Sequence, residues 1–268
     1  MSFRDQLLAT VPEQLQEHLP NTYQQLGSIC IFSLPAAVKS YKQAIGDAVL
    51  KVYPRFTTVC VQRGPISGEL RQPTIERIAG NGTETVHKEH GILFHLDVTK
   101  VMFSKGNLAE RKLLIPLVQP NEVVIDMFAG IGYFSLGIAK QVPVTLFAIE
   151  KNPDAVFYLK KNIVANKITN VTVVEGDCRT VSIPQKADRI LMGYFPNTAQ
   201  FLPTAFRMAK DTATIHYHDV GKHLRETIER HAKNAGFTVT AFSEHIVKSV
   251  GPRTNHVVCD VVVEKGLR

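Results

Sequence analysis

The chain has 268 residues, 44% hydrophobic and 21% charged, the balance of an ordinary globular protein with ample core in one or two domains. No apolar run approaches the roughly 18–20 residues of a membrane span, and the start, MSFRDQLLATVPEQLQEHLP, lacks a signal-peptide apolar block, so a cytoplasmic protein is expected. The formal net charge of +7 suits a polyanionic partner such as RNA, the alternative being a solvated basic surface with no partner.

Residues 1–95 predict a small α+β domain. A helix is expected from Phe3 to His18, ending at Leu19-Pro20, then a strand over Ile29–Phe32 and a helix from Ala36 to Tyr53 interrupted by Gly46. Short β-branched segments follow at 57–64, 74–82 and 83–97, and Asn81-Gly82 between the last two is a hairpin signal, which together predict an antiparallel sheet. Lys39, Lys42, Lys51, Arg55, Arg63, Arg71, Arg77 and Lys88 either line an RNA-facing surface or are scattered solubilising charges.

Residues 96–268 alternate strand and helix. Strands are expected at 123–127, 144–150, 171–175, 188–193, 213–219, 237–248 and 256–264, with helices at 132–140, 153–166, 198–209 and 221–235. Such alternation predicts a mostly parallel sheet covered by helices on both faces. The last two strands are separated only by SVGPRTN and should pair as an antiparallel hairpin. Cys30, Cys60, Cys178 and Cys259 form no CxxC pair, which argues against a zinc site or disulfide framework. His216-Tyr217-His218 puts two imidazoles on one strand face without an evident third metal ligand, so a structural role is expected and no metal.

The second domain is organised around VVIDMFAGIGYFSLGIAK (123–140), a strand, a small-residue turn and an amphipathic helix. Glycines such as Gly130 let a ligand approach backbone N–H groups and the helix N-terminus, next to Phe128. Asp126, at the strand's carboxyl end, is expected to accept from a bound ammonium or hydroxyl group. Glu150 ends the next strand and can hold both ribose hydroxyls of an adenosine, or be a solvated strand-end charge. Asp177, before Cys178, can accept from an adenine amino group or cap a helix. The fourth strand ends in Gly193-Tyr194-Phe195-Pro196, whose aromatics can stack on a base. In the stretch leading to the organising strand, Ser104 and Arg111 can bind a carboxylate.

The DxFxGxG turn is similar to that of Rossmann-like class I S-adenosylmethionine-dependent methyltransferases, whose seven-stranded sheet ends in the same antiparallel hairpin. FSKGNLAERK, DMFAGIGYFSLGIAK, AIEKNPDAVFYLKKNI, GDCR, MGYFPNT, IHYHD and KSVGPRTNHVVCDV, in this order, resemble the enzymes that modify the base at tRNA position 37. These are the guanine-N1 methyltransferases and the aminocarboxypropyltransferases of wyosine biosynthesis. The methyltransferases typically carry FSPRL-x-x-ER and an Asn-containing motif after the fourth strand. Here Lys105-Gly106-Asn107 and Gly193-Tyr194-Phe195-Pro196 stand instead, a form that looks like the aminocarboxypropyltransferases, and the compact length implies an archaeal-type member.

The resemblance implies that Ser104, Arg111, Glu150, Asp177 and Cys178 contact S-adenosylmethionine, joined by Asp126, Phe128, Gly130 and Gly193. It implies no metal, and Tyr194 or Phe195 as stacking candidates for the target base, with Asn107 in a positioning role. The implied reaction moves the aminocarboxypropyl group to C7 of 4-demethylwyosine at position 37 of tRNA(Phe). The implied partner is that tRNA's anticodon arm, with no membrane and no obligate protein partner. Guanine-37 N1-methylation and a catalytically silent RNA-binding protein remain as alternatives.

Overall fold

The computed structural model describes residues 2–104 and 107–266, and the chain divides into two compact units, Met1–Phe103 and Ser104–Arg268. In the first unit, Ser2 and Asp5 form a reciprocal capping box at the start of helix α1 (Phe3–Leu7). The single helix expected over residues 3–18 is in fact broken. Val11 is extended (φ −118°, ψ 149°) because it precedes Pro12, and a short α2 (Glu13–Gln16) follows.

Strands β1 (Gln24–Leu26) and β2 (Ile29–Phe32) precede α3 (Lys42–Val52), β3 (Thr58–Gln62) and β4 (Ile75–Gly80). Gly46 does not interrupt α3. A Cβ there would lie 2.7 Å from the Ala79 Cβ, so the glycine lets the helix pack closely on β4. The sheet runs β1-β2-β3-β4, and β2 and β3 pair in parallel across α3, so it is mixed rather than antiparallel.

Asn81-Gly82 forms no hairpin, because β4 pairs with β3 while β5 (Glu84–Glu89) pairs with β6 (Ile92–Asp97). The carbonyls of Asn81 and Gly82 accept from the Thr58 hydroxyl, which turns the chain out of the sheet. The hairpin loop is His90-Gly91, where φ is +48° and +79°, the pair of positive values a type I′ turn requires. Some of the basic residues of this unit are used internally. Lys42 and Arg63 converge on Glu76, and Arg55 donates to the Tyr23 hydroxyl while lying 4.8 Å from the Tyr53 ring centre.

The second unit carries α4 (Leu108–Leu114), β7 (Val123–Asp126), α5 (Ser135–Gln141), β8 (Thr145–Glu150), α6 (Pro153–Ala165) and β9 (Val171–Glu175). There follow β10 (Ala187–Met192), α7 (Leu202–Met208), β11 (Ala209–Val220), α8 (Leu224–Asn234), β12 (Phe237–Gly251) and β13 (Thr254–Lys265). One sheet orders these seven strands β12-β13-β11-β10-β7-β8-β9, with only β13 antiparallel to its neighbours. This is the Rossmann-like arrangement with a terminal antiparallel hairpin. β7, buried along its whole length, takes an interior position between β10 and β8, as the apolar run before Asp126 demands.

Several boundaries move, β11 for instance starting at Ala209 and α7 at Leu202. The helix expected from 132 begins at Ser135, because Gly132 at φ +98° cannot be helical. Strands β12 and β13 run through SVGPRTN and leave only Pro252-Arg253 as their loop, with Arg253 at φ +56°. The strand order reverses between the parallel neighbours β7 and β10, so their carboxyl ends open the crevice in which ligands of such folds bind.

Candidate functional site

The turn after β7 is fixed from three sides. Asp126 is completely buried, and its carboxylate accepts from the Phe128 N–H (3.2 Å) and the Ser135 hydroxyl (2.6 Å). Both oxygens therefore serve the turn. Asp126 thus shapes the loop from the carboxyl end of β7. Burial pushes its carboxyl up to about 6, against the pull of those two donors. Asn162 on α6 donates to the Ile131 carbonyl (3.1 Å). From β8, Glu150 accepts from the Gly130 N–H (2.7 Å) and the Asn152 N–H (2.7 Å). Burial raises the Glu150 carboxyl while these backbone donors lower it. Glu150 retains lone pairs at the rim, which suits a vicinal diol. Gly130 sits at φ +57°, and a Cβ there would meet the Tyr133 ring at 2.4 Å, so the cradle exists only without a side chain.

Beside Glu150, Asp177 accepts from the Arg179 N–H (2.9 Å) and guanidinium, and from Lys151 Nζ (3.2 Å). The Arg179 hydrogen bonds hold its carboxyl well below the usual carboxylate range. Cys178 is buried, which pushes its thiol up to about 12, so it is an inert packing group. Phe128, Tyr194 and Phe201 close an aromatic cluster with ring centres 4.9–5.7 Å apart, and Arg179 lies 5.2 Å from the Phe201 ring centre.

The structure separates the two aromatics of the Gly-Tyr-Phe-Pro loop. Tyr194 joins the cluster on the Phe128 side, whereas Phe195 lies flat on His256, 4.0 Å between centres and 24° between planes. Gly193, just before them, packs closely on Phe134: a Cβ there would come within 2.9 Å of that ring. Asp219, at the end of β11, accepts from the N–H groups of Asn197 (3.1 Å) and Thr198 (3.0 Å) and from the Tyr217 hydroxyl (2.6 Å). Nothing in the local sequence marks Asp219 as the anchor of a loop 21 residues away.

His216 and His218 share a face of β11 but have different partners. The Arg189 guanidinium donates to His216 Nε2 (2.7 Å), so Nδ1 donates to Asp260 (2.5 Å), and burial lowers this imidazole. His218 Nδ1 is 3.0 Å from His256 Nε2, and burial brings these rings down to about 3 and about 4. Among the described residues no group of side chains is placed to hold a metal ion.

The stretch before β7 meets the terminal hairpin. Arg111, buried on α4, donates to the Ser104 carbonyl (2.8 Å) and lies 5.0 Å from the Tyr133 ring centre beside the glycine turn. From β12, Lys248 donates to Ser104 Oγ (3.2 Å) and Asn107 Oδ1 (3.1 Å), and His245 lies 3.0 Å from Glu110. Lys105 and Gly106 lie outside the described residues. Lys248, quoted above only as part of KSVGPRTNHVVCDV, and His245 are members of this group that sequence reasoning passes over.

Residues 85–240 match the TRM5/TYW2 methyltransferase domain, and residues 3–83 match the TYW2 N-terminal domain. The chain is 38% identical over 250 residues to a tRNA(Phe) (4-demethylwyosine(37)-C(7)) aminocarboxypropyltransferase of Methanocaldococcus jannaschii, covering 91% of this chain and 98% of that protein. A tRNA (guanine(37)-N(1))-methyltransferase Trm5b of Pyrococcus abyssi is 36% identical, covering 97% of this chain and 79% of that longer protein. Among solved structures, P. horikoshii TYW2 in complex with MeSAdo superposes with a TM-score of 0.86 at 35% identity, covering 98% of both chains. No helix among the described residues is long and apolar enough to cross a membrane.

Proposed function

The chain belongs to the TRM5/TYW2 methyltransferase family, and from that premise we infer that it transfers the 3-amino-3-carboxypropyl group of S-adenosylmethionine to C7 of 4-demethylwyosine at position 37 of tRNA(Phe). The observation that carries this reading is the end-to-end match to an enzyme of that activity, together with an N-terminal region matching TYW2. The guanine-37 methyltransferase reading is less favoured, since residues 3–83 match the TYW2 N-terminal domain and Gly193-Tyr194-Phe195-Pro196 stands where those methyltransferases typically carry an Asn-containing motif.

When bound, S-adenosylmethionine supplies a sulfonium with three activated carbons, and the site chooses among them by position. Transfer requires the Cγ of the methionyl arm roughly 3–3.5 Å from C7. The reaction forms the C7–Cγ bond, leaves the S–Cγ electron pair on methylthioadenosine and releases the C7 proton. Glu150 holds the ribose hydroxyls. Phe128 and Tyr194, packed on each other, present an aromatic wall to the adenine side next to Asp177 and Cys178, and Gly130 and Gly193 leave room for the ligand. Ser104 and Arg111 receive the amino-acid end. Phe195, backed by His256, stacks on the flipped base and offsets part of an unstacking cost of a few kcal/mol. Asn107 positions the arm. The first unit contacts the anticodon arm, in the cytoplasm and without an obligate protein partner.

The test uses tRNA carrying the tricyclic precursor and S-adenosylmethionine labelled in either the carboxyl or the methyl carbon. Carboxyl label on tRNA with methylthioadenosine released is the expected result. Methyl label on tRNA with S-adenosylhomocysteine released would establish methylation instead.

A further inference from the structure

We propose that Lys248, together with Ser104 and Asn107, forms the receptor for the α-carboxylate of the group being transferred. This rests on the reading that S-adenosylmethionine is the donor. The sheet register puts Lys248 at the right edge. Val220, at the end of β11 and next to Asp219, pairs with His256 on β13, which in turn pairs with Lys248 on β12. Lys248 thus stands at the carboxyl edge of the sheet, level with the loop that carries Phe195.

The polarity of the contacts points to an anion. The Lys248 ammonium donates to Ser104 Oγ at 3.2 Å and to Asn107 Oδ1 at 3.1 Å. Each neighbour is thereby used as an acceptor and must aim its own donors elsewhere: Ser104 its hydroxyl proton, Asn107 its carboxamide N–H groups. Among the described residues neither has an acceptor for those protons. Arg111 grips the same serine through its carbonyl at 2.8 Å, so Ser104 is held between two cations. A half-buried ammonium flanked by a hydroxyl and an amide donor is a carboxylate receptor, and charge-assisted hydrogen bonds of this kind are about twice as strong as neutral ones.

The consequence concerns which carbon reacts. An anchor on the carboxylate fixes the far end of the methionyl arm, and so determines where Cγ lies relative to the base. The cation comes from the terminal hairpin, 144 residues from Ser104 along the chain.

The test is isothermal titration of Lys248→Met and Lys248→Arg with three ligands: S-adenosylmethionine, S-adenosylhomocysteine and methylthioadenosine. The first two carry the carboxylate and the third does not. The expected result for Lys248→Met is affinity about 10- to 100-fold weaker for both carboxylate ligands, methylthioadenosine unchanged, and partial recovery in Lys248→Arg. Equal weakening for all three ligands would show that Lys248 only shapes the loop, and no weakening would show that it does not touch the donor. If tRNA affinity alone falls, with a shallower salt dependence, the lysine serves a phosphate and the proposal is overturned. Failure of the wild-type protein to bind S-adenosylmethionine, or release of S-adenosylhomocysteine by it, would instead strike the underlying reading.

Discussion

The buried carboxyl of Asp126 makes a prediction with a definite sign. Its side chain is fully enclosed, and burial raises it from an ordinary 3.8 to about 6. Below pH 4 the carboxyl is protonated in both the folded and the unfolded chain. Between pH 4 and about 6 the unfolded chain releases this proton while the folded chain keeps it, so unfolding becomes more favourable as pH rises. At 1.36 kcal/mol per pH unit, the stability lost across that window is about 3 kcal/mol, after which it is constant. Asp126→Asn keeps the shape and an oxygen for the Phe128 N–H, and the amide can donate to Ser135, but it has nothing to titrate. Urea unfolding of both proteins at half-unit intervals from pH 4 to 7.5 isolates the effect as a difference, because other titrating groups cancel. The variant should gain on the wild type progressively up to about pH 6. A flat difference, or one that moves in favour of the wild type, would refute the reasoning.

Three further substitutions test the surroundings. Asp219→Ala removes the acceptor for Asn197, Thr198 and Tyr217, and should cost about 2–4 kcal/mol with faster hydrogen exchange at the amides of 197 and 198. Gly193→Ala drives a Cβ to 2.9 Å from the buried Phe134 ring and should lower stability by about 1–3 kcal/mol in thermal unfolding, an unchanged midpoint counting against the close approach. Arg189→Met strips the partner from Glu122, which it meets in two bonds of 2.7 and 2.9 Å, and from His216. The loss should be about 3–5 kcal/mol in chemical denaturation, and less than about 1 kcal/mol would show that the network is not coupled.

The second unit is legible in the sequence because its signals are local and mutually consistent. β7 is an apolar run up to Asp126, and Asn152-Pro153 caps and starts α6 where expected, Asn152 accepting from the Asp154 N–H at 3.0 Å. The first unit misleads where tertiary structure overrides local chemistry. Asn81-Gly82 has the residues of a hairpin turn, yet the strand before it pairs with β3, and the Thr58 hydroxyl claims the turn's carbonyls. Gly46 reads as a helix breaker but is a packing glycine, a distinction that depends on Ala79, 33 residues later. β2, α3 and β3 are themselves a strand–helix–strand crossover, which pairs in parallel, but the short β-branched segments that follow point to an antiparallel sheet and outweigh that single unit.

For the site, sequence alone brings out residues at strand ends and in the glycine turn, and leaves out the ones that arrive from elsewhere. Asp126 illustrates the limit: its position at a strand end is legible, but only the Ser135 hydroxyl at 2.6 Å shows that its carboxylate faces inward. Tyr194 and Phe195 are adjacent in sequence and equivalent as stacking groups until the loop sends one to Phe128 and the other to His256. That divergence gives the paired aromatics different surroundings, one in the aromatic cluster beside the glycine turn and one on His256 of β13. The same holds for the donor arm. Ser104 and Arg111 stand out beside the organising strand, whereas Lys248 becomes their neighbour only when β12 completes the sheet. The glycine turn is common to enzymes that donate a methyl and to those that donate the longer arm. What is particular to this chain lies in the flanking elements, where Ser104 meets Arg111 of α4 and Lys248 of the terminal hairpin, and Phe195 lies on His256 of the same hairpin.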